Sequence, residues 1–567
     1  MKKIVLSALL AMAAVVALPQ AQAQTVCPTA PAPVVVSTNI TQNTTWTRNN
    51  IYLIQGFVFV EAGATLTIES GTIIKGDKPT KGTLTIKQGG RISAVGTPTQ
   101  PIVFTSNQPA GSRDRGDWGG VILAGRAPQN VPPAPGQPLP KIEGGLTPDT
   151  YFGGNDPLDN SGIMQYVRIE FPGVAYSLNN EINGLTLCGV GSGTTLDHIQ
   201  VSYSGDDSYE WFGGTVNAKY LIALNGQDDE WDTDNGFSGK VQFGVALRNP
   251  LFADQSGSNG FEADNDANGT NNQPLTGAVF SNMTNILPPA PAGQVLDPLY
   301  RRGMHLRRNA AQSIFNSLSI GYPVGLLLDE GATAPFPTPN VVTNVTNNGL
   351  QLAGNVFAGY ATARKATRVN GSTFNVKQFL GATNDTSSTV ASLLLNPNNF
   401  AYMGASGNPQ QTPDFQLAAA SPLNTGAVAF TGKLADPAFA PVNYRGAFGA
   451  VNWTAGWSNF NPQITCYNRP GQVLAAKAAA DESLELGVYP NPVTSAAKLS
   501  FTVATATTAT VRVLDATGRL VATVAAGQKL ASGPQIIALP AGLKPGLYVA
   551  TVATAETTQS VRFVVAQ

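Results

Sequence analysis

Cysteine, histidine and charged residues are scarce in this 567-residue chain: it has three cysteines, two histidines and only 12% Asp, Glu, Lys and Arg. Three cysteines exclude a disulfide scaffold and a four-cysteine zinc site. His198 and His305 support no Ser-His-Asp set, and the H-E-x-x-H and P-loop motifs do not occur. The formal net charge of −1, without a Lys/Arg block, argues against nucleic acid and against an anionic membrane surface as partners.

The N-terminus has the pattern of a secretory signal peptide. Lys2 and Lys3 precede an apolar run at residues 4–18, and the small-residue site Ala21-Gln22-Ala23 follows. We therefore expect a signal peptide at residues 1–23, cleavage before Gln24 and an exported protein. No later apolar run reaches the roughly 18 residues of a membrane helix, so no membrane span is expected.

The body is rich in glycine, threonine, valine and asparagine, and its short strand patterns repeat. Residues 63–71 recur as residues 82–90, and strand patterns at 199–204, 220–225 and 243–248 start 21 and 23 residues apart. This spacing, with polar corners, predicts an all-β fold in which residues 24–467 form a right-handed parallel β-helix. A β-sandwich array would need hairpins, and two-residue hairpin turns are sparse here. Residues 360–445 are predicted to be later coils with insertions, and a separate insert is the alternative.

The C-terminus is predicted to be a separate module. Residues 468–485 form an Ala-rich linker, and seven or so strand patterns in the last ~80 residues, 486–567, predict a small Ig-like β-sandwich. Four ordered motifs stand out: Tyr489-Pro490-Asn491-Pro492, the hairpin turn at 515–518, Leu543-Lys544-Pro545-Gly546-Leu547-Tyr548 and Arg562-Phe563-Val564-Val565.

These motifs resemble a type A C-terminal sorting domain of the type IX secretion system. The resemblance implies interaction with that secretion machinery, passage through the outer membrane, removal of the domain and, often, attachment to surface lipopolysaccharide. The protein is then expected at the outer cell surface. The body likewise resembles the β-helical region of uncharacterised surface proteins with this sorting signal, a likeness that implies no chemistry.

Acidic residues are concentrated in one segment. Residues 143–266 hold 19 of the 35 Asp and Glu residues and only four Lys or Arg. Many lie at corners that would stack about 5 Å apart in a β-helix, where carboxylates repel one another unless a cation intervenes. Ten are predicted ligands of Ca²⁺: Asp206, Asp207, Glu210, Asp228, Asp229, Asp232, Asp234, Glu262, Asp264 and Asp266. Asp264-Asn265-Asp266-Ala267-Asn268-Gly269 matches the opening of a calcium loop, although Leu275 occupies the position of its closing Glu.

Two other interpretations of these corners stay open. A pair of carboxylates could serve an extracellular glycoside hydrolase, with Trp211, Trp231 and Phe261 stacking on the sugar rings of a polysaccharide. Alternatively, Asp and Asn are simply frequent at turns. The sequence assigns no catalytic residue.

The basic cluster at residues 301–309 loosely resembles that of β-helical polysaccharide lyases, which would make Arg307 or Arg308 a candidate base; the alternative is that both pair with the acidic face. A structural or ligand-binding module with a Ca²⁺-stabilised acidic face is the favoured interpretation, and a lyase or hydrolase is the alternative.

The sequence does not fix the disulfide state of the three cysteines, but it does not favour a bridge between Cys27 and Cys466. Cys188 lies in an apolar run and is predicted to be a buried thiol. A stack of roughly twenty coils at ~4.8 Å would hold Cys27 and Cys466 about 95 Å apart unless a tail folds back.

Overall fold

The computed structural model describes residues 27–566, apart from residues 145, 147, 178–179, 332–336, 360–372, 405–406, 473–485, 490, 494–495, 504–505, 516–518, 532 and 555–557. The predicted signal peptide, most of the linker and parts of the Tyr489 motif and of the 515–518 turn therefore lie outside the described residues.

The body is a stack of parallel β-coils, as the repeat spacing predicts. Its strands are, in chain order, β1 (Val34–Val36), β2 (Thr44–Trp46), β3 (Ile51–Ile54), β4 (Phe57–Val60), β5 (Thr65–Ile68), β6 (Ile73–Gly76), β7 (Thr83–Ile86), β8 (Arg91–Val95), β9 (Ile102–Ser106), β10 (Gly120–Ala124), β11 (Gly162–Glu170), β12 (Ala175–Ser177), β13 (Asn180–Glu181), β14 (Leu185–Cys188), β15 (Thr195–Ser202), β16 (Tyr209–Phe212), β17 (Asn217–Leu224), β18 (Trp231–Asp234), β19 (Lys240–Leu247), β20 (Phe261–Ala263), β21 (Val279–Ile286), β22 (Arg302–Leu306), β23 (Ser313–Phe315), β24 (Leu318–Ile320), β25 (Val324–Leu328), β26 (Leu352–Ala353) and β27 (Val356–Ala358).

Three faces run along the stack. Face A follows β2-β5-β8 into the first half of β11, and face B follows β1-β3-β6-β9 into its second half. The long strands β11, β15, β17, β19 and β21 carry both faces, which separate again at β23 and β24. Face C is the ladder β4-β7-β10-β14-β16-β18-β20-β22-β25, and β12 pairs with β13 in an antiparallel excursion.

A column of bent residues joins faces A and B. Tyr166, His198, Tyr220, Phe243 and Asn282 take φ values between 51° and 63° and are passed over in the strand pairing. The first three rings stack at centroid distances of 4.4 Å. Stacked rings hold a backbone conformation that side chains other than glycine rarely adopt. His198 is therefore a structural member of the bend.

The ladder ends soon after β27, and the chain then runs back along the stack. Asp385 and Thr389 still form parallel bridges to the last coil. The two α-helices α1 (Val341–Thr346) and α2 (Val376–Gly381) pack against the end of the core. Residues 391–472 are here called the return segment. Those that the structure describes form irregular chain with 3₁₀ turns at Ala391–Leu393, Pro397–Asn399, Pro422–Asn424, Gly432–Ala435 and Pro462–Ile464. The prediction of further coils over 360–445 is thus wrong for the described residues after Thr389.

The return segment covers the outer side of face B. Its Tyr402, Phe415 and Trp457 form one buried cluster with Phe171 and Leu224 of the coils. Near its end, Arg113 donates from Nη1 to the carbonyls of Pro462 (2.6 Å) and Thr465 (2.9 Å), and the hydroxyl of Tyr467 donates to Glu170 Oε1 (2.7 Å).

Cys27 and Cys466 are joined by a disulfide, with their Cα atoms 5.5 Å apart. The expectation that they stay apart is wrong because the return segment brings the end of the body back to its first coil. Cys188 is the buried free thiol that its apolar run predicts.

The C-terminal module consists of antiparallel strands. They are β28 (Gly487–Tyr489), β29 (Lys498–Val503), β30 (Thr507–Asp515), β31 (Leu520–Leu530), β32 (Gly533–Ala538), β33 (Gly546–Ala553) and β34 (Thr558–Val565). One sheet has the order β28-β29-β32 and the other β31-β30-β33-β34, around a shared apolar core. Strands β30 and β31 pair as the predicted hairpin. No helix among the described residues is long and apolar enough to cross a bilayer.

Candidate cation-binding site

Aromatic and acidic residues alternate along the strands of face C, and the alternation separates them. Successive strand residues point to opposite sides of a sheet. Trp211, Trp231 and Phe261 point inward and are 0% exposed. Inside the coils, Trp231 stacks on Tyr209 at 5.2 Å and Trp211 on Phe237 at 5.4 Å. The expectation that Trp211, Trp231 and Phe261 contact a sugar is therefore wrong: they are core residues.

The alternate residues form a polar column on the outside of face C. Thr186 pairs in register with Glu210, Glu210 with Asp232, Asp232 with Glu262, and Glu262 with His305. Neighbouring coils therefore place these side chains one above another at the strand spacing of about 4.8 Å. The predicted stacking of acidic corners is realised here, on the strand as well as at the corner before it.

Two groups of carboxylates converge in this column and the adjoining corner. Asp206, Asp207 and Asp228 each offer an oxygen within 4.8 Å of the others, and Asp207, Glu210 and Asp232 do the same. We call these the corner triad and the strand triad. Asp207 belongs to both.

Burial and crowding of negative charge act together on these groups. Burial first, and neighbouring carboxylates second, raise the pKa values of Asp207, Glu210 and Asp232 well above their usual range. The same causes, burial foremost, raise the pKa of Asp234 to about 8, and burial with Asp254 raises that of Asp228 to about 7. A buried carboxylate without a counter-ion takes up a proton or binds a cation.

Protein donors satisfy only part of the two triads. Asn183 donates from Nδ2 to Glu210, Asp207 Oδ1 accepts from the Asp229 amide (2.8 Å), and Ser256 Oγ donates to Asp228 Oδ2 (2.5 Å). The second oxygens, Asp228 Oδ1 and Asp232 Oδ1, are buried without a hydrogen-bond partner among the described residues. These two oxygens are therefore free to serve as ligands of a cation.

The acids of the next coil are neutralised by the basic cluster. Arg307 bonds to Glu262 through Nη2 (2.5 Å) and to Asp264 through Nε (2.8 Å), while Arg308 Nη1 lies 2.7 Å from Asp264. His305 Nδ1 lies 3.0 Å from Glu262. Burial lowers the pKa of Arg307, but the carboxylates of Glu262 and Asp264 outweigh burial and raise this pKa above its ordinary value. Arg307 is therefore a counter-ion that holds its proton firmly, which opposes a role as base.

The remaining predicted ligands are engaged by backbone amides. Asp229 accepts from the amide of Asn259, and Asp234 Oδ1 accepts from the amide of Asn235 (2.6 Å). Asp266 Oδ1 accepts from the amides of Asn268 (2.9 Å) and Thr270 (3.1 Å), closing its own turn. The ten predicted ligands thus divide into the five residues of the two triads and five residues that accept from protein donors, Asp234 through Oδ1 alone.

Sequence reasoning missed four polar neighbours of the triads. Glu143 and Glu181 add to the negative field that raises the pKa of Asp206, after burial and Asp228. Asn183 bonds to Glu210 and also accepts from the Asp207 amide (3.2 Å). Thr186, in register with Glu210, was detectable from the alternation in Leu185-Thr186-Leu187-Cys188, but an uncharged residue gives no charge signal.

A cavity of about 260 Å³ lies beside the basic end of the column. Its lining includes Arg307, Arg308, Asp329 and Asn340. Arg308 is the more open of the two arginines, with 44% of its side chain exposed.

The fold and the ladder of face C define a parallel β-helix protein with an acidic outer face. Residues 38–394 match the family model described as pectate-lyase like beta helix domain, and the chain belongs to that family. Residues 487–566 match the secretion system C-terminal sorting domain. The chain therefore carries a type IX sorting domain, and the protein is secreted and attached at the outer cell surface. No curated protein and no solved structure matches the chain.

Proposed function

We propose that this protein is a surface-attached β-helix module that binds Ca²⁺ on the acidic outer side of face C. The observation that carries the proposal is the pair of carboxylate triads whose buried oxygens Asp228 Oδ1 and Asp232 Oδ1 have no partner among the described residues. Ca²⁺ takes six to eight oxygens from carboxylates, amides and water, and the two triads supply the carboxylates.

Cation binding would stabilise the stack. In the cation-free protein, the carboxylates of Asp207, Glu210 and Asp232 repel one another across neighbouring coils. A bound Ca²⁺ would attract the carboxylates of both neighbouring coils and so offset their mutual repulsion. From the sorting domain we further infer that lipopolysaccharide is the surface anchor, so that the acidic face is displayed outside the cell.

Thermal unfolding of the full exported chain in EGTA and in increasing Ca²⁺ tests the proposal. Ca²⁺ at 100 times its Kd adds about 2.7 kcal/mol to the free energy of unfolding, and the Tm rises accordingly. Asp207→Asn should reduce the rise at every Ca²⁺ concentration. Glu69→Gln, which neutralises an exposed carboxylate on an early coil, should keep it. A Tm independent of Ca²⁺ in the unsubstituted protein would refute the proposal.

The second candidate is a lyase or hydrolase acting on an extracellular polysaccharide. The cavity of about 260 Å³ at Arg307 and Arg308 favours it, since it lies beside the acidic column. The ion pairs of Arg307 oppose it. Ultraviolet detection of unsaturated sugar products from uronate polymers, and reducing-sugar release from neutral glycans, separate the two functions: turnover that Arg308→Ala removes would favour the enzyme.

A further inference from the structure

The acidic column holds not one cation position but two. We propose that the corner triad and the strand triad each bind one cation and that the carboxylate of Asp207 bridges them. This inference rests on the proposed function and fixes its stoichiometry and its ligands.

The spacing of the oxygens separates the two positions. Ligands of one Ca²⁺ lie 2.3–2.6 Å from the ion, so that oxygens on opposite sides are roughly 5 Å apart at most. Each triad meets that limit, with its oxygens within 4.8 Å of one another, but Asp206 and Asp228 do not fall within it together with Glu210 and Asp232. The five carboxylates thus form two groups that share Asp207, which favours two cation positions over one.

The coil repeat explains why the pair of positions arises. Tyr209 pairs in register with Trp231, so Asp206 and Asp228 occupy equivalent corner positions of adjacent coils, and Glu210 pairs directly with Asp232. Asp207 follows Asp206 at the start of the strand, between the corner and the outward column. Its carboxylate reaches both triads, which makes it the shared ligand.

A buried uncharged side chain with an unpaired oxygen lies in the coil on each side of the two triads. Thr186, 3% exposed, lies in register beside Glu210 on the outer side of face C, and its Oγ1 has no partner among the described residues. Asn259, 1% exposed, lies one coil beyond Asp229 and donates to it through Nδ2 (3.2 Å), while its Oδ1 has no described partner. A buried oxygen acceptor left unpaired is unfavourable in a protein and is a normal ligand of a hard cation.

The same neighbours limit the number of cations to two. On one side, Asn183 and Thr186 of the previous coil occupy the positions equivalent to Asp207 and Glu210. On the other, Glu262 follows Asp232 in register but is occupied by Arg307 and His305. The five triad carboxylates carry five negative charges when ionised. A first divalent cation leaves a net charge of three negative units, which is enough to attract a second divalent cation.

Equilibrium dialysis and titration calorimetry of the full chain, freed of metal with EGTA and titrated with Ca²⁺, measure the stoichiometry. We expect two Ca²⁺ per chain. Asp206→Asn and Asp232→Asn should each leave one, and Asp207→Asn should weaken both by roughly tenfold or more. Thr186→Val, which keeps shape and charge, should weaken only one of the two. Glu69→Gln should retain both.

The outcomes separate this inference from the proposed function. One Ca²⁺ per chain, lost in both Asp206→Asn and Asp232→Asn, would overturn the bridged pair while leaving a calcium-binding face. No Ca²⁺ in a protein whose circular dichroism spectrum is intact would overturn the proposed function itself. Two Ca²⁺ per chain that persist unchanged in every triad variant would place the ions elsewhere and overturn the assignment. Circular dichroism of each variant in EGTA controls for folding.

Discussion

The disulfide between Cys27 and Cys466 should contribute strongly to stability, because it closes a loop with a sequence separation of 439 residues. The loss of chain entropy in the unfolded state gives about 6 kcal/mol at 25 °C for a loop of this length, and measured disulfides typically contribute about 2–4 kcal/mol. We expect the double substitution Cys27→Ser/Cys466→Ser to lower the free energy of unfolding by about 4 kcal/mol. The bridged protein and the double variant should both carry Cys188→Ala, so that no free thiol can undergo exchange with the disulfide.

The return segment should respond first in the double variant. It is irregular chain, and its last turn is held by Arg113 and Tyr467 next to the bridge. Hydrogen exchange can follow the return segment separately from the coils, because two of its amides are bonded to coil residues. The amide of Ala447 donates to Thr284 Oγ1 (2.8 Å), and the amide of Gly446 donates to the Asn316 carbonyl (2.7 Å).

Guanidinium titrations followed by tryptophan fluorescence, combined with exchange of these amides, provide the assay. In the double variant, the amides of the return segment should exchange at denaturant concentrations that leave β17 protected, giving two transitions where the bridged protein has one. Reduction of the bridged protein should reproduce the variant. Coincident midpoints, with equal protection of Gly446 and Ala447 in bridged and unbridged protein, would refute the reasoning.

Two further predictions concern the interior. Lys75 is 8% exposed, and burial, with Arg113 nearby, lowers its pKa to about 8. The unfolded chain therefore binds more protons than the folded chain between pH 8 and 10.5, so stability should rise with pH over that window by up to about 3 kcal/mol. Lys75→Met should remove this rise and increase stability at pH 7, as denaturant titrations at several pH values would show; parallel pH profiles would contradict the assignment. Trp231→Ala should lower stability by about 3–5 kcal/mol, as expected for a core tryptophan whose indole also donates to Asn285 Oδ1 (2.8 Å). An unchanged denaturation midpoint would show that Trp231 is not a core residue.

The coil architecture was predictable because short strand patterns that repeat along the sequence determine it. The strand patterns at 199–204, 220–225 and 243–248 repeat with nearly constant spacing, and parallel in-register stacking is the arrangement that buries their apolar residues together. The sorting domain was predictable for a different reason, because its motifs are specific both in their residues and in their order along the chain.

The orientation of the face C side chains was also present in the sequence. In Tyr209-Glu210-Trp211, an acid is flanked by aromatics, and strand geometry sends it to the opposite side. Grouping acids and aromatics as one sugar-binding surface overlooked this alternation. Strand alternation by itself assigns Trp211 to the core and Glu210 to the outside.

The return segment could not be predicted in this way. It lacks a repeat, and its position depends on contacts such as Trp457 with the coils and Tyr467 with Glu170, between residues hundreds of positions apart. The bridge between Cys27 and Cys466 follows from that path. A distance argument based on stack length assumes that the chain advances in one direction, and here it reverses.

The position of the candidate site is set by a local imbalance of charge, since the chain as a whole is nearly neutral. Arg307 and Arg308 lie one coil beyond Glu262 and Asp264 and neutralise them directly. Among the described residues, no lysine or arginine forms an ion pair with Asp207, Glu210 or Asp232. Burial and neighbouring carboxylates raise the pKa values of these three acids, and the opposing effect of Arg307 on Asp232 does not cancel that rise. A β-helix makes such a difference local, because each coil contacts only its neighbours. The carboxylates of one coil, Glu262 and Asp264, are paired with arginine. We therefore infer that a cation would bind at the neighbouring coils, so that the two triads, rather than all ten acids, form the candidate site.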